Sequence, residues 1–337
     1  MSSALLRAVV VVCLSSTPAS TLARQDAAPA AGEKPAQSQA EAPDQSPAAA
    51  QVTGTKVPFA PLGRVETKGT GPTALVLVPG LTCDWKVWDG FIDRNRAKYT
   101  MYAVTLPGFG ATTPPERPAN DKGTPWLDNA VAAVASLIEE RKLERPVIIG
   151  HSLGGHIALR MAIEHGDKIA GALSFDGGPA IPLGPAPIPL DQRIQAVETM
   201  IAPRMLAMTD EEWNQQQDLM AKTMVTSEAR SAQLRDMFRT TPTQVGARYM
   251  LELIKSDVTG ALVASKTPHK VVAAVNDEPD FGQSAEVMRS NWKSVMSGAR
   301  EGSLVFIEGS RHFIMDDKPV EFDQAVAGFV DETRKGQ

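Results

Sequence analysis

The stretch that most constrains the fold of this chain is Pro146–His156, with the sequence Pro-Val-Ile-Ile-Gly-His-Ser-Leu-Gly-Gly-His. An apolar run ends at Gly150, Ser152 follows two residues later, and a helical pattern of apolar residues begins directly after Gly155. A strand that turns so sharply into a helix leaves little room around the serine, and glycines at positions 150 and 154 provide it. The spacing therefore predicts a nucleophile elbow, with the Ser152 hydroxyl standing above the N-terminus of the new helix.

The bulk composition limits the classes of protein to which this chain can belong. The chain has 337 residues, of which 43% are hydrophobic and 22% charged, as is typical of a folded globular protein. The formal net charge of −5 comes from dispersed charges. The composition therefore argues against a nucleic-acid-binding protein and indicates no particular charged partner.

The N-terminal residues have the pattern of an export signal. Arg7 precedes the short apolar segment Ala8–Leu14, and Thr21-Leu-Ala23 is a small-x-small cleavage pattern, so we expect residues 1–23 to be a signal peptide. This segment is too short for a membrane span, so we expect no stable membrane insertion and a periplasmic or secreted mature protein. Residues 24–54 are rich in Ala and Pro with few large apolar side chains, which predicts a disordered linker.

The rest of the chain alternates between strand and helix patterns, with one long interruption. The alternation runs through residues 55–181 and resumes through residues 266–337, and it predicts an α/β core with a mostly parallel sheet and helices on both faces. Between them, residues 182–265 contain helical patterns only. We expect this block to be a helical cap inserted over the carboxyl ends of the strands.

A serine hydroxyl is a weak acid and needs a base before it can attack a carbonyl. The chain has five histidines, and His312 follows the last predicted strand, on the side where Ser152 projects. His151 and His156 flank the elbow and are expected to point elsewhere, His165 lies late on the following helix, and His269 precedes a strand at the opposite edge. The pattern favours His312 as the base.

The base in turn needs a carboxylate to hold its tautomer, and two aspartates satisfy the chain order Ser-Asp-His. Asp176 ends the apolar strand after the elbow, where a carboxylate would be partly buried and rigid. Asp277 follows the strand that ends at Val275 and lies in a polar stretch. The sequence favours Asp176 and leaves Asp277 open as the alternative acid.

Two backbone amides are candidates for stabilising an oxyanion beside Ser152. The Leu153 amide follows the serine at the start of the helix, and the Leu81 amide lies in the turn Val78-Pro-Gly-Leu81 after an early strand. No metal-ligand or cofactor pattern accompanies these residues, so we expect neither a metal nor a cofactor.

Together, four motifs resemble the α/β-hydrolase family in its capped, esterase-like branch. They are Val78-Pro-Gly-Leu81, Leu106-Pro-Gly-Phe-Gly110, Gly150-His-Ser-Leu-Gly-Gly155 and Ser310-Arg-His-Phe313, in the order that the family has them. The resemblance implies an eight-stranded sheet with one antiparallel strand and a helical cap after the sixth strand. One departure concerns the acid, because the family's Gly-x-x-Asp is here Asn276-Asp-Glu-Pro279, which favours Asp176, a site that some members use.

A serine at position 152 argues against the haloalkane dehalogenases and epoxide hydrolases that this family also contains, because those place an aspartate there. We expect a serine hydrolase that cleaves a carboxylic ester or a related acyl bond of a small molecule through an acyl-enzyme on Ser152. The alternatives are a C–C bond hydrolase or an aminopeptidase on the same scaffold, and a ligand-binding protein that retains the triad without turnover.

Overall fold

A seven-stranded sheet with helices on both faces forms the centre of the part of the chain that the structure describes. The computed structural model describes residues 58–118, 123–182, 188–276 and 284–335. The signal peptide predicted for residues 1–23 and the linker predicted for residues 24–54 lie outside these ranges, as does the candidate acid Asp277.

The strands of the sheet are β1 (Arg64–Lys68), β2 (Thr73–Val78), β3 (Tyr99–Thr105), β4 (Val147–His151), β5 (Gly171–Phe175), β6 (His269–Val275) and β7 (Leu304–Glu308). Their order across the sheet is β1-β3-β2-β4-β5-β6-β7. β1 pairs antiparallel with β3, and the other pairings of these described strands are parallel. Because parallel strands end at the same edge of a sheet, the turns after β2, β4, β5, β6 and β7 lie side by side.

The predicted fold class is confirmed, but the predicted count of eight strands is wrong for the described residues, which form seven. The sequence predicts a first strand at Thr73, whereas the structure has β1 before it, with the polar sequence Arg-Val-Glu-Thr-Lys. Upstream of β1, Pro58 and Pro61 lack the backbone N–H that a strand ladder needs. The long helical insertion consequently follows the fifth described strand and not the sixth.

The helices are α1 (Asp89–Asn95), α2 (Pro125–Glu140), α3 (Leu153–Glu164), α4 (Leu190–Ala196), α5 (Ala202–Leu206), α6 (Asp210–Met224), α7 (Glu228–Phe238), α8 (Thr243–Lys255), α9 (Thr259–Ala264), α10 (Ala285–Val295), α11 (Ile314–Asp317) and α12 (Pro319–Lys335). A 3-10 turn spans Trp85–Trp88, and a π-helical turn, Val197–Ile201, lies between α4 and α5. Among the described helices, none combines the length and the apolar composition that crossing a bilayer requires.

The two-residue period of the strands builds a hydrophobic core on each face of the sheet. On β2, Leu75 and Leu77 pack into one cluster of buried side chains, and Val76 and Val78 pack into the cluster on the other face. The first cluster includes side chains of α1 and α12, and the second includes side chains of α2 and α3. The sheet is therefore covered by packed helices on both faces.

The insertion between β5 and β6 contains α4 to α9 and has a core of its own, which includes Trp213, Ala247, Leu251 and Ile254. It is attached to α2, which packs against the sheet, by a buried carboxyl group on α8. Glu252 Oε2 accepts hydrogen bonds from the backbone N–H groups of Trp126 (2.8 Å) and Leu127 (2.9 Å), in the first turn of α2. The predicted cap boundaries at residues 182 and 265 stay a prediction.

The end of β4 has no room for a side chain at Gly150. A Cβ placed there would lie 1.9 Å from the carbonyl oxygen of Gly154. We expect Gly150→Ala to lower the free energy of unfolding by about 3 kcal/mol, because the helix backbone must move to admit the methyl group.

The matched control is Gly328→Ala in α12, where a Cβ would meet no atom within 4 Å. This substitution should leave stability unchanged or raise it by about 0.5–1 kcal/mol. Urea unfolding curves of both variants test the pair, and equal midpoints for Gly150→Ala and the wild type would contradict the steric argument.

Candidate active site

Ser152 stands alone between the end of β4 and the start of α3, as the sequence predicts. Its backbone has φ 55° and ψ −118°, a conformation that few residues other than glycine adopt. The Ser152 N–H donates to the Phe175 carbonyl oxygen at 2.9 Å, which ties the turn to the end of β5. The neighbouring strand β5 thus maintains the strained backbone conformation of Ser152. The serine lies at the edge of the sheet where the parallel strands end.

The structure brings His312 and Asp176 together, although 136 residues separate them in the chain. His312 Nδ1 lies 2.6 Å from Asp176 Oδ2. A carboxylate accepts hydrogen bonds, so Nδ1 is the donor and the Nε2 lone pair is left to accept a proton. The other carboxylate oxygen, Oδ1, accepts from the Ala274 N–H at 2.9 Å, so β6 holds the acid in place.

Asp176 itself has a strained backbone, with φ 50°. It lies directly after β5, and its N–H donates to the Val272 carbonyl oxygen at 2.8 Å. Both the Asp176 and the His312 side chains are largely shielded, with exposed fractions of 12% and 14%. Asp176 is therefore fixed through both its backbone and its carboxylate, independently of its contact with His312.

The two predicted oxyanion donors lie on either side of the serine. Leu153 is the first residue of α3, and the first N–H groups of a helix have no partner within it. Leu81 follows Gly80, and a Cβ on Gly80 would lie 3.3 Å from the Ser152 Cβ, so this turn packs directly against the serine. The role of both amides as donors stays a prediction.

A strained threonine continues the Leu81 turn. Thr82 is buried and β-branched, yet its φ is 58°, which is unusual for such a residue. Its hydroxyl donates to the Leu81 carbonyl oxygen at 2.7 Å, and a Cβ on Gly246 of α8 would lie 3.2 Å from its Cγ2. The insertion therefore packs against the turn that carries the predicted Leu81 donor.

A family model described as the alpha/beta hydrolase family matches residues 75–325, which include Ser152, Asp176 and His312. The chain belongs to the alpha/beta hydrolase family. The resemblance seen in the four sequence motifs is confirmed at this level.

Known relatives of this alpha/beta hydrolase match it over only part of its length. The pimeloyl-[acyl-carrier protein] methyl ester esterase of Aeromonas hydrophila is 31% identical over 115 residues, which are 34% of this chain and 41% of the relative. The human (lyso)-N-acylphosphatidylethanolamine lipase is 29% identical over 118 residues, which are 34% of each chain. The chain thus matches less than half the length of these relatives.

Solved structures extend the likeness across the whole fold of this alpha/beta hydrolase. The enol-lactonase from Burkholderia xenovorans superposes with a TM-score of 0.59 and 18% sequence identity, covering 81% of this chain and 100% of that one. Likeness at this identity establishes the fold and leaves the reaction to be argued from the site.

The loop that carries His312 is bound to the junction between α6 and α7. The Phe313 N–H donates to the Met224 carbonyl oxygen at 3.1 Å, and Arg311 Nη1 donates to the Val225 carbonyl oxygen at 3.0 Å. Asp317 Oδ1 accepts from both the N–H and the hydroxyl of Thr226, at 2.9 and 2.7 Å. The helical insertion therefore holds the loop of the candidate base.

The sequence predicts that His156, beside the elbow, points away from the site, but the structure shows that its ring joins two parts of it. His156 Nδ1 lies 2.9 Å from the Gly178 carbonyl oxygen, two residues beyond Asp176, and its Nε2 lies 2.8 Å from the Ser256 hydroxyl oxygen. A carbonyl only accepts, so Nδ1 carries the proton and Nε2 accepts from Ser256. His269, expected before a strand, is the first residue of β6.

The charge state of His156 makes stability depend on pH. Burial, more than any nearby charge, lowers the pKa of His156 from 6.5 to about 4. In the unfolded chain His156 binds a proton near pH 6.5, whereas in the folded chain it does so only near pH 4. The free energy of unfolding therefore falls as the pH decreases from 6.5 to 4.

We expect the wild type to lose about 2–3 kcal/mol more than His156→Gln when the pH falls from 6.5 to 4, because the variant lacks this titration. Urea unfolding at several pH values measures the difference. Equal losses for the two proteins would show that His156 is protonated in the folded state.

Proposed function

We propose that the protein hydrolyses a carboxylic ester of a small molecule through a covalent acyl-enzyme on Ser152. The observation that carries this proposal is the His312–Asp176 pair beside the strained serine turn. His151 directly precedes Ser152, and its ring centroid is 4.5 Å from that of His312, so the base lies close to the elbow. The named activity of the Aeromonas hydrophila relative, a methyl ester esterase, supports ester chemistry.

In the proposed reaction, the Ser152 Oγ attacks the ester carbonyl carbon while its proton moves to His312 Nε2. The negative charge that develops on the carbonyl oxygen is stabilised by the Leu81 and Leu153 N–H groups. Asp176 holds the Nδ1–H tautomer and stabilises the imidazolium.

The tetrahedral intermediate then collapses. The bond to the alcohol oxygen breaks, and His312 gives its proton to the leaving alcohol, which leaves the acyl group on Ser152. His312 next removes a proton from a water molecule, whose oxygen attacks the acyl-enzyme carbonyl. The bond between the acyl carbon and Ser152 Oγ then breaks, and His312 gives its proton to Oγ, which releases the carboxylic acid and restores the serine hydroxyl.

Substitution of the nucleophile tests the acyl-enzyme directly. We expect Ser152→Ala to lower kcat for p-nitrophenyl esters by at least about 10⁴-fold, because the remaining groups only bind and polarise the substrate. A fluorophosphonate probe should label the wild type and leave the variant unlabelled. The control Ser297→Ala changes an exposed serine after α10 and should keep full activity and labelling.

Ester turnover that persists in folded Ser152→Ala would refute the proposal. Rapid labelling of the wild type without turnover of any aryl, alkyl or lactone ester would point to another acyl or C–C substrate. Folded wild type that neither labels nor turns over would indicate a binding protein.

A second pair of variants decides between the two candidate acids. We expect Asp176→Asn to lower kcat by roughly 10³- to 10⁴-fold with KM nearly unchanged, because the amide no longer holds the required tautomer of His312. Asp277→Asn should change kcat by less than about 3-fold, since Asp176 already occupies the hydrogen-bond position on Nδ1. The opposite ranking of the two variants would assign the acid to Asp277.

A further inference from the structure

His151 is the last residue of β4 and is completely buried directly beside the nucleophile. Its Nε2 lies 3.0 Å from the backbone carbonyl oxygen of His312. A carbonyl oxygen only accepts hydrogen bonds, so Nε2 carries the proton and donates it. One hydrogen bond thus joins the strand of the proposed nucleophile to the backbone of the proposed base.

The Nδ1 edge of the same ring adjoins the Leu81 turn. His151 Nδ1 has no hydrogen-bond partner among the described residues, and it lies 3.0 Å from the position that a Cβ on Gly80 would take. The absence of a side chain at position 80 therefore lets the ring fit between the elbow and this turn. The Phe313 ring covers it further, with centroids 4.6 Å apart.

The ring is held without charge. Burial, followed by the nearby His312, lowers the pKa of His151 well below 6.5. A positive charge on His151 would repel the imidazolium of His312, and a neutral His151 ring avoids this repulsion. His151 is thus suited to hold its neighbours in place and not to exchange protons with a substrate.

We propose that His151 is a positioning residue, which holds His312 at its working distance from Ser152 by donating to the His312 carbonyl oxygen. The proposal rests on the function proposed above. The donor precedes the proposed nucleophile by one residue and the acceptor belongs to the proposed base itself, so this hydrogen bond links the positions of the two proposed reacting groups.

Two variants separate the hydrogen bond from the packing of the ring. His151→Phe keeps an aromatic ring and removes the donor, whereas His151→Gln has an amide nitrogen that can reach the same carbonyl. We expect His151→Phe to lower kcat, counted per fluorophosphonate-titrated site, by roughly 10- to 100-fold with little change in KM, because a displacement of about 1 Å misaligns proton transfer. His151→Gln should recover kcat to within about 5-fold of the wild type.

A purely structural role would reduce the melting temperature and the number of titratable sites, and leave kcat per site unchanged. Unchanged kcat per site in His151→Phe, or equal losses in the Phe and Gln variants, would overturn the proposal.

A readout without substrate separates this proposal from the proposed function. The His312 Nδ1–H proton, in its 2.6 Å contact with Asp176, should give a far-downfield proton NMR signal in the wild type. We expect this signal to persist in His151→Gln and to shift or broaden in His151→Phe. An unaltered signal in folded His151→Phe would refute the positioning role even if the protein proved to hydrolyse no ester.

Discussion

The parallel arrangement of β2, β4, β5, β6 and β7 is the constraint on which the rest of the site depends. It places at one edge of the sheet the Gly80 turn, the strained serine, the acid and the loop of the histidine. The serine and the aspartate are each held by the strand next to their own. The Ser152 N–H binds the end of β5, and the Asp176 N–H and carboxylate bind β6. Two residues with positive φ, Ser152 and Asp176, are maintained in this way by rigid neighbours.

Much of the fold and part of the site could be predicted from the sequence. The apolar strands and the long amphipathic helices follow from periodicity, and α6 begins and ends at the residues that the pattern indicates, Asp210 and Met224. Ser152 was identifiable because its local motif has a steric cause, and His312 because it follows the last predicted strand on the side where the serine projects. β1 was not, because its polar sequence has no apolar run and its pairing with β3 depends on a strand that lies over 30 residues away.

The choice between Asp176 and Asp277 and the roles of the flanking histidines depend on tertiary distances that no local pattern contains. The Asp176 carboxylate reaches His312 across 136 residues of chain, and His151 reaches the His312 carbonyl across 161. His156 joins Gly178, near the acid, to Ser256, at the end of α8. The motif around Ser152 contains both histidines, but only the packed structure assigns them partners.

The attachment of the His312 loop to the α6–α7 junction restricts how a substrate can enter. A rigid outward swing of these helices would break the hydrogen bonds that join Phe313, Arg311 and Asp317 to the junction, and would draw His312 away from Asp176. A substrate that enters without disturbing the His312–Asp176 contact therefore has to pass parts of the insertion other than this junction.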